Sequence, residues 1–348
     1  MAYYTRYEKL QKYYKDGTAV SPAEYKKGTN LGVAEYSSIE VCQNSSTPPT
    51  PVANCIGWKS TDNKLIYSIN GTQYTTSDSP LCIDDTVTEL RFGTGTTANP
   101  TITELDFSSF DSSSLTSMRS MFDGNTKLVK LDVSRFNTKN CKDFAFMFCS
   151  CHKLTYINVS NFNFNNCKDI DYMFAFCENL RSLDTSKFIT KKCDSLLSTF
   201  EGCWNLASID VSNFDVSNCI NLRTVFAECR SLKTLDLSGW NTSECRNFHR
   251  LFYDCRSLTS LDLSSFNTSK CGIFGQMFYN CQNLETLNLK NFDMSKATSY
   301  DGMFRECNKL KNITCKQAFK DWCITHQDEI ELPTAMREGG TGTWTIVN

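Results

Sequence analysis

The chain has 348 residues, 40% of them apolar, with a net charge of −2 and a pI near 6.0. That is enough apolar material for one large core or two ordinary ones, which excludes a disordered chain. The near-neutral balance gives no broad basic surface, so no nucleic acid is expected as a partner, and no window of 18 apolar residues occurs, so no membrane insertion is expected.

Residues 1–44 hold seven of the 14 tyrosines, interleaved with lysines, and read as an N-terminal attachment segment that docks on another protein. They lack the uninterrupted apolar stretch of a secretory signal, so synthesis in a reducing compartment is expected. The run SSTPPTP at 45–51 reads as a stiff linker. Between 52 and 100, strand-like pieces such as KLIYSI and TVTELRF surround NG and SP turns, which predicts a small β cap. A GxGxxA pattern at Gly93, Gly95 and Ala98 resembles a dinucleotide loop, but Asn99 and Pro100 follow at once, so no helix can open there toward a phosphate.

From 101 to 315 the sequence is one unit repeated at a constant interval, with no insertion between copies. Leu105, Leu131, Ile157, Leu183, Ile209, Leu235, Leu261, Leu287 and Ile313 stand in one column. Phe122, Phe148, Phe174, Phe200, Phe226, Phe252, Phe278 and Phe304 form another, and Phe110 through Trp240 to Phe292 a third. LKTLDLSGW at 232–240 alternates as a strand with one buried face. CKDFAFMFCSC places Cys141, Phe144, Met147, Phe148 and Cys151 on one stripe, which predicts a short amphipathic helix. One such unit cannot bury its apolar face alone. The expected fold is therefore an α/β leucine-rich-repeat solenoid, with a parallel sheet on one face, short helices on the other and a C-terminal cap at 316–348. In that cap CKQAFKDWCITHQ is expected to be helical and TWTIV a strand.

Thirteen of the 19 cysteines fall in two columns, Cys141 to Cys271 and Cys151 to Cys307. Their apolar neighbours predict core packing rather than bridging. Metal is disfavoured because the only histidines are His152, His249 and His326 and no CxxC recurs, so no cofactor is expected. Cys149 stands outside both columns and is expected to be partly exposed.

Between the inward leucines runs a polar column from Asp106 to Asn288, flanked by serines. It admits two readings: a ligand face for glycans or calcium, or side chains that hydrogen-bond local backbone. The candidate binding face is Asp132, Tyr156, Asp184, Asp210, Asp236 and Asp262. Variation is larger at Lys130, Tyr156, Ser182, Ser208 and Thr234, and in the turns NTKN, NFNN, ITKK, DVSN and NTSE, where recognition of a specific partner is expected. Every carboxylate is one member of a column, with no singular acid–base pair, so the chain is not expected to be an enzyme.

The repeat SLTSLDLSSFNTSKCGIFGQMFYNCQ at 257–282 resembles the BspA-type leucine-rich repeats, with their LxxLDLSxFDTS…MxxMF…C pattern. That resemblance implies a surface-exposed binding or adhesion protein. The opening MAYYTRYEKLQKYYKDGTAVSPAEYKKG is similar to N-terminal attachment segments of structural proteins in crAss-like gut phages. Together they imply a virion component of fibre or decoration type, made in the bacterial cytoplasm. It would join other virion proteins through residues 1–44 and present the repeats to a host-surface glycan or protein, with a homo-oligomer open. The alternative is a bacterial or protist BspA-like adhesion protein at the cell surface.

Overall fold

Parallel pairing of each unit with its successor organises the repeats. The computed structural model describes residues 13–15, 18–20, 55–62, 64–69, 72–77, 81–82, 87–92 and 101–347. The linker at 45–51, the GxGxxA stretch at 93–98 and the attachment segment 1–44, apart from the backbone of one hairpin, lie outside the described residues. That hairpin pairs β1 (Tyr13–Lys15) antiparallel with β2 (Thr18–Val20).

The next strands are β3 (Cys55–Ser60), β4 (Leu65–Ile69), β5 (Thr72–Thr76), β6 (Leu81–Cys82), β7 (Leu90–Phe92) and β8 (Ile102–Ser109). β3 runs antiparallel to both β6 and β8, and β4 antiparallel to both β5 and β7. A disulfide joins Cys55 of β3 to Cys82 of β6. Residues 87–92 take the place of an earlier repeat. Glu89 bridges Ser117 in parallel, the Thr116 N–H donates to the Thr88 carbonyl, and the Phe92 ring stacks on Phe122 at 5.8 Å.

Each repeat then contributes a short strand: β9 (Lys130–Leu131), β10 (Tyr156–Ile157), β11 (Ser182–Leu183), β12 (Ser260–Asp262), β13 (Thr286–Asn288) and β14 (Asn312–Cys315). Leu105 pairs with Leu131, Ile157 with Leu183, Leu261 with Leu287 and Leu287 with Ile313, each with its counterpart in the following repeat. At 208–210 and 234–236 no strand forms, yet Ile209 and Leu235 stay buried. The sheets are small and parallel through the repeats, and helix is scarce.

The stripe from Cys141 to Cys151 is buried as expected, but it is not helical. The backbone instead makes successive tight turns: Met147 N–H donates to Phe144 O, Cys149 to Phe146 O and Cys151 to Phe148 O, all three residues back. Intervening amides cross to the next repeat. Phe144, Phe146, Phe148 and Ser150 donate to Asp169, Asp171, Met173 and Ala175 at 2.8–2.9 Å. Two positions four residues apart in each repeat take positive φ, such as Phe146 and Ser150 at 58°, or Ser198 at 54° and Gly202 at 71°. A helix is about 10 Å across, whereas strands advance only about 4.8 Å per repeat. Turns satisfy the same amides within the narrower step, and that is why the expected helices do not form. Gly202 is needed for a second reason: a Cβ there would meet the Phe176 ring at 2.5 Å.

Inside, the Phe122–Phe304 column stacks ring on ring at 5.3–6.1 Å. Each such pair adds about 0.5–1.5 kcal/mol beyond area burial. Where the other aromatic column carries Trp240, the indole N–H reaches the Val211 carbonyl at 3.3 Å.

Every column cysteine is free and buried, and so is Cys149, which corrects its expected exposure. The thiols also do more than fill space. Cys151, Cys177, Cys203, Cys229, Cys255, Cys281 and Cys307 each donate S–H to the phenylalanine carbonyl 29 residues earlier, at 2.9–3.3 Å. In the first repeat Asn125 stands at this position and its amide donates to the Phe92 carbonyl at 3.1 Å. In the second column Cys141 donates to Asp143 O and Cys219 to Cys193 O, both at 3.3 Å.

At the far end α1 (Gln317–Thr325) packs Phe319 and Cys323 into the core, within the stretch expected to be helical. Gly302 and Phe304 donate to Glu329 and Ile330, which continues the turn ladder past the last repeat. The last strand, β15 (Thr343–Ile346), lies parallel to β14, with Trp344 opposite Ile313.

Burial pushes the thiols of Cys141, Cys245 and Cys271 up to about 12, far from the reactive range. Alkylation of the folded protein at pH 8, read by peptide mass spectrometry, is therefore expected to leave both columns unmodified until denaturant is added. Labelling of Cys203 or Cys229 within minutes under native conditions would contradict the thiol-packed core.

Candidate functional site

The aspartates of the candidate face are exposed, and each closes a turn. One oxygen of Asp132, Asp184, Asp210 and Asp236 accepts the N–H of the serine two residues on at 2.9 Å, and Asp262 does so at 2.8 Å. The serine hydroxyls and N–H groups hold Asp132, Asp184, Asp210 and Asp236 below the usual carboxylate range. The column is thus a set of Asx turns, one per repeat. Tyr156 is the sixth candidate and is 57% exposed on β10, apart from this turn.

The turns singled out for recognition are also heavily used by the fold. Asn140, Asn166 and Asn218 donate their amides to Ser113 O, Lys139 O and Lys191 O of the preceding repeat, at 2.9–3.2 Å. The Thr242 hydroxyl accepts the Asn267 N–H at 2.9 Å and donates to the Asn267 carbonyl at 3.1 Å. Thr268 repeats the pattern with Asp293 at 2.7 and 2.9 Å.

Unspent polar groups gather at the opposite corner, where the chain enters each strand. Lys233, Thr234, Ser257, Thr259, Asn283, Glu285 and Lys309 line a groove of about 360 Å³ that crosses four repeats. Thr234 belongs to the variable column noted in the sequence; the two lysines come to line one groove only when repeats stack, which no single unit displays. Lys309 donates to the Asn283 side chain at 2.7 Å, and Glu285 is paired with Lys311 at 2.8 Å. The side chains of Lys233, Thr234, Ser257 and Thr259 have no hydrogen-bond partner among the described residues.

A second polar cluster lies on the turn side. Arg119 reaches Asp169 at 3.1 Å and Asp143 at 3.6 Å while its guanidinium covers the Phe146 ring, which stacks on Tyr172 at 4.5 Å. Asp171 accepts the Leu197 N–H at 2.8 Å. Burial, with Asp169 and Asp194 adding repulsion, pushes Asp171 up to about 6. Composition could not single out this group, because its burial appears only once the turns are formed.

The family model described as "Mycoplasma protein of unknown function, DUF285" matches residues 94–202 and 194–317, well over half of the chain. The chain belongs to that family, which is consistent with BspA-type repeats. No curated protein matches it. Among the described residues no helix is long and apolar enough to cross a membrane.

Because the folded-state pKa of Asp171 is raised, its contribution to stability is full below about pH 4 and is lost as pH rises through about 6. Asp171→Asn removes that loss. Denaturant titration should show the variant more stable by about 1–2 kcal/mol at pH 7, after allowance for solvent screening, with the gap closing by pH 4. A gap of the same size at both pH values would contradict the assignment.

Proposed function

We propose that this DUF285-family chain is a non-enzymatic binding protein. In this reading its repeats form a leucine-rich-repeat solenoid, with residues 52–100 and 316–348 as caps. It is carried on a phage virion, docks on other virion proteins through residues 1–44, and presents the repeats to a host-surface glycan or protein. The observation that carries the reading is the division of polar groups. The repeated Asp, Asn and Thr columns are consumed in turns and inter-repeat ladders, whereas unspent hydroxyls and an ammonium collect in one groove on variable columns. A rigid scaffold with one adaptable rim suits recognition, and a carboxylate fixed in an Asx turn is poorly placed for acid–base work.

A bacterial or protist BspA-like adhesion protein at the cell surface is the second reading, favoured by the family match. The Cys55–Cys82 disulfide suits either reading, since both bring the chain to an oxidising exterior.

Mass spectrometry of particles purified from a producing host separates them. The chain is expected to co-purify with the particles in constant ratio to the capsid protein. Its recovery only from the cell-surface fraction of the host would replace the virion reading with the second.

A further inference from the structure

We infer that the groove lined by Lys233, Thr234, Ser257, Thr259, Asn283, Glu285 and Lys309 is a binding site for an acidic oligosaccharide, one that carries carboxylate or sulfate groups along a pyranose chain. This deepens the proposed function and rests on the reading of the repeats as a binding surface.

The lining side chains are all polar or charged, so the site offers no apolar pocket for the anchor residues by which a protein partner is usually held. It carries two lysines and no aromatic platform, which is a poor match for single-stranded nucleic acid. Hydroxyls and ammonium groups supply the donors and acceptors that a sugar ring requires, while the Asn283 amide is held by the Arg256 carbonyl at 2.8 Å and by Lys309 at 2.7 Å. The lining positions also recur along the stack. Ser257, Asn283 and Lys309 occupy one position in three successive repeats, and Lys233, Thr259 and Glu285 occupy another. Repeats advance by about one strand spacing, ~4.8 Å, which is close to the length of a single pyranose unit. A linear saccharide lying along the stack would therefore meet the same pair of positions at each ring.

Charge selects the acidic kind. Lys311 neutralises Glu285 at 2.8 Å, and Asn283, the partner of Lys309, is uncharged. Glu285 also attracts Lys309, yet one carboxylate faces the three ammonium groups of Lys233, Lys309 and Lys311, so the groove keeps a net positive charge, with Lys233 and Lys309 in its first and last repeats. Each of these two is placed to make a charge-assisted hydrogen bond to an anionic substituent, and exposure keeps both attractions sensitive to salt.

The test is isothermal titration of the purified full chain with three probes: size-defined oligogalacturonate, a heparin-derived oligosaccharide and neutral maltohexaose. At least one acidic probe is expected to bind, more weakly as salt rises, and maltohexaose to bind at least about tenfold more weakly. Lys233→Ala and Lys309→Ala are each expected to weaken the acidic probe about tenfold, the loss of one charge-assisted contact, with thermal unfolding unchanged because both side chains are exposed. Failure of both acidic probes to bind, equal binding of the neutral probe, or indifference to both substitutions would overturn the inference. A parallel adhesion assay on host cells separates the two levels. Adhesion retained by both lysine variants overturns the groove alone. An acidic probe bound through the lysines without any adhesion supports the groove and overturns the surface-binding reading.

Discussion

One repeat must occupy one strand spacing on every side of the stack, and the rest of the structure follows from that constraint. The sheet side advances by parallel pairing of each strand with its counterpart in the next repeat. The opposite side must keep the same step, and it does so with an amide ladder in which Phe144, Phe174, Phe200, Phe226 and their neighbours donate to carbonyls of the following repeat. The left-handed positions that this ladder demands fall on residues as unsuited as Phe176, Thr224 and Tyr172. Such a conformation costs about 1–2 kcal/mol for a non-glycine residue. It persists because each turn is held by the repeats above and below it.

The same constraint accounts for the composition of the columns. A side chain at the end of the tight turns must be small, apolar enough to be buried among phenylalanine rings, and able to donate to a carbonyl of the preceding repeat. Cysteine meets all three requirements. Asn125 meets the last with an amide in the first repeat, where its acceptor is Phe92 of β7. The corners need a short acceptor for the N–H two residues on, and Asp and Asn supply it at Asp132, Asp184, Asn163 and Asn241. What reads as an acidic stripe is therefore first a series of chain reversals.

The register, the aromatic columns and the burial of the cysteines are legible in the sequence because repetition makes each an average over many units. The turns are not, because the spacing from Cys141 to Cys151 is compatible with a buried stripe of more than one backbone form, and the helix it suggests is wrong. Gly124, Gly202, Asp254 and Asn280 share a column and are residue types that tolerate positive φ, so a turn signal is present beneath the apolar pattern. The hydrogen bonds of the thiols, the groove at Lys233 and Lys309, and the raised carboxyl of Asp171 depend on contacts between repeats, which no single unit displays. Thr234 and Tyr156 both stand out as variable, yet only Thr234 lies in the groove.

The most direct measurement is the scalar coupling through hydrogen bonds, observed by NMR on deuterated protein, at the amide of Phe226. The account predicts a coupling from the Phe226 nitrogen to the carbonyl carbon of Leu251 in the next repeat, across the bond of 3.1 Å. A coupling to the carbonyl of Leu222, four residues back as in a helix, would contradict it.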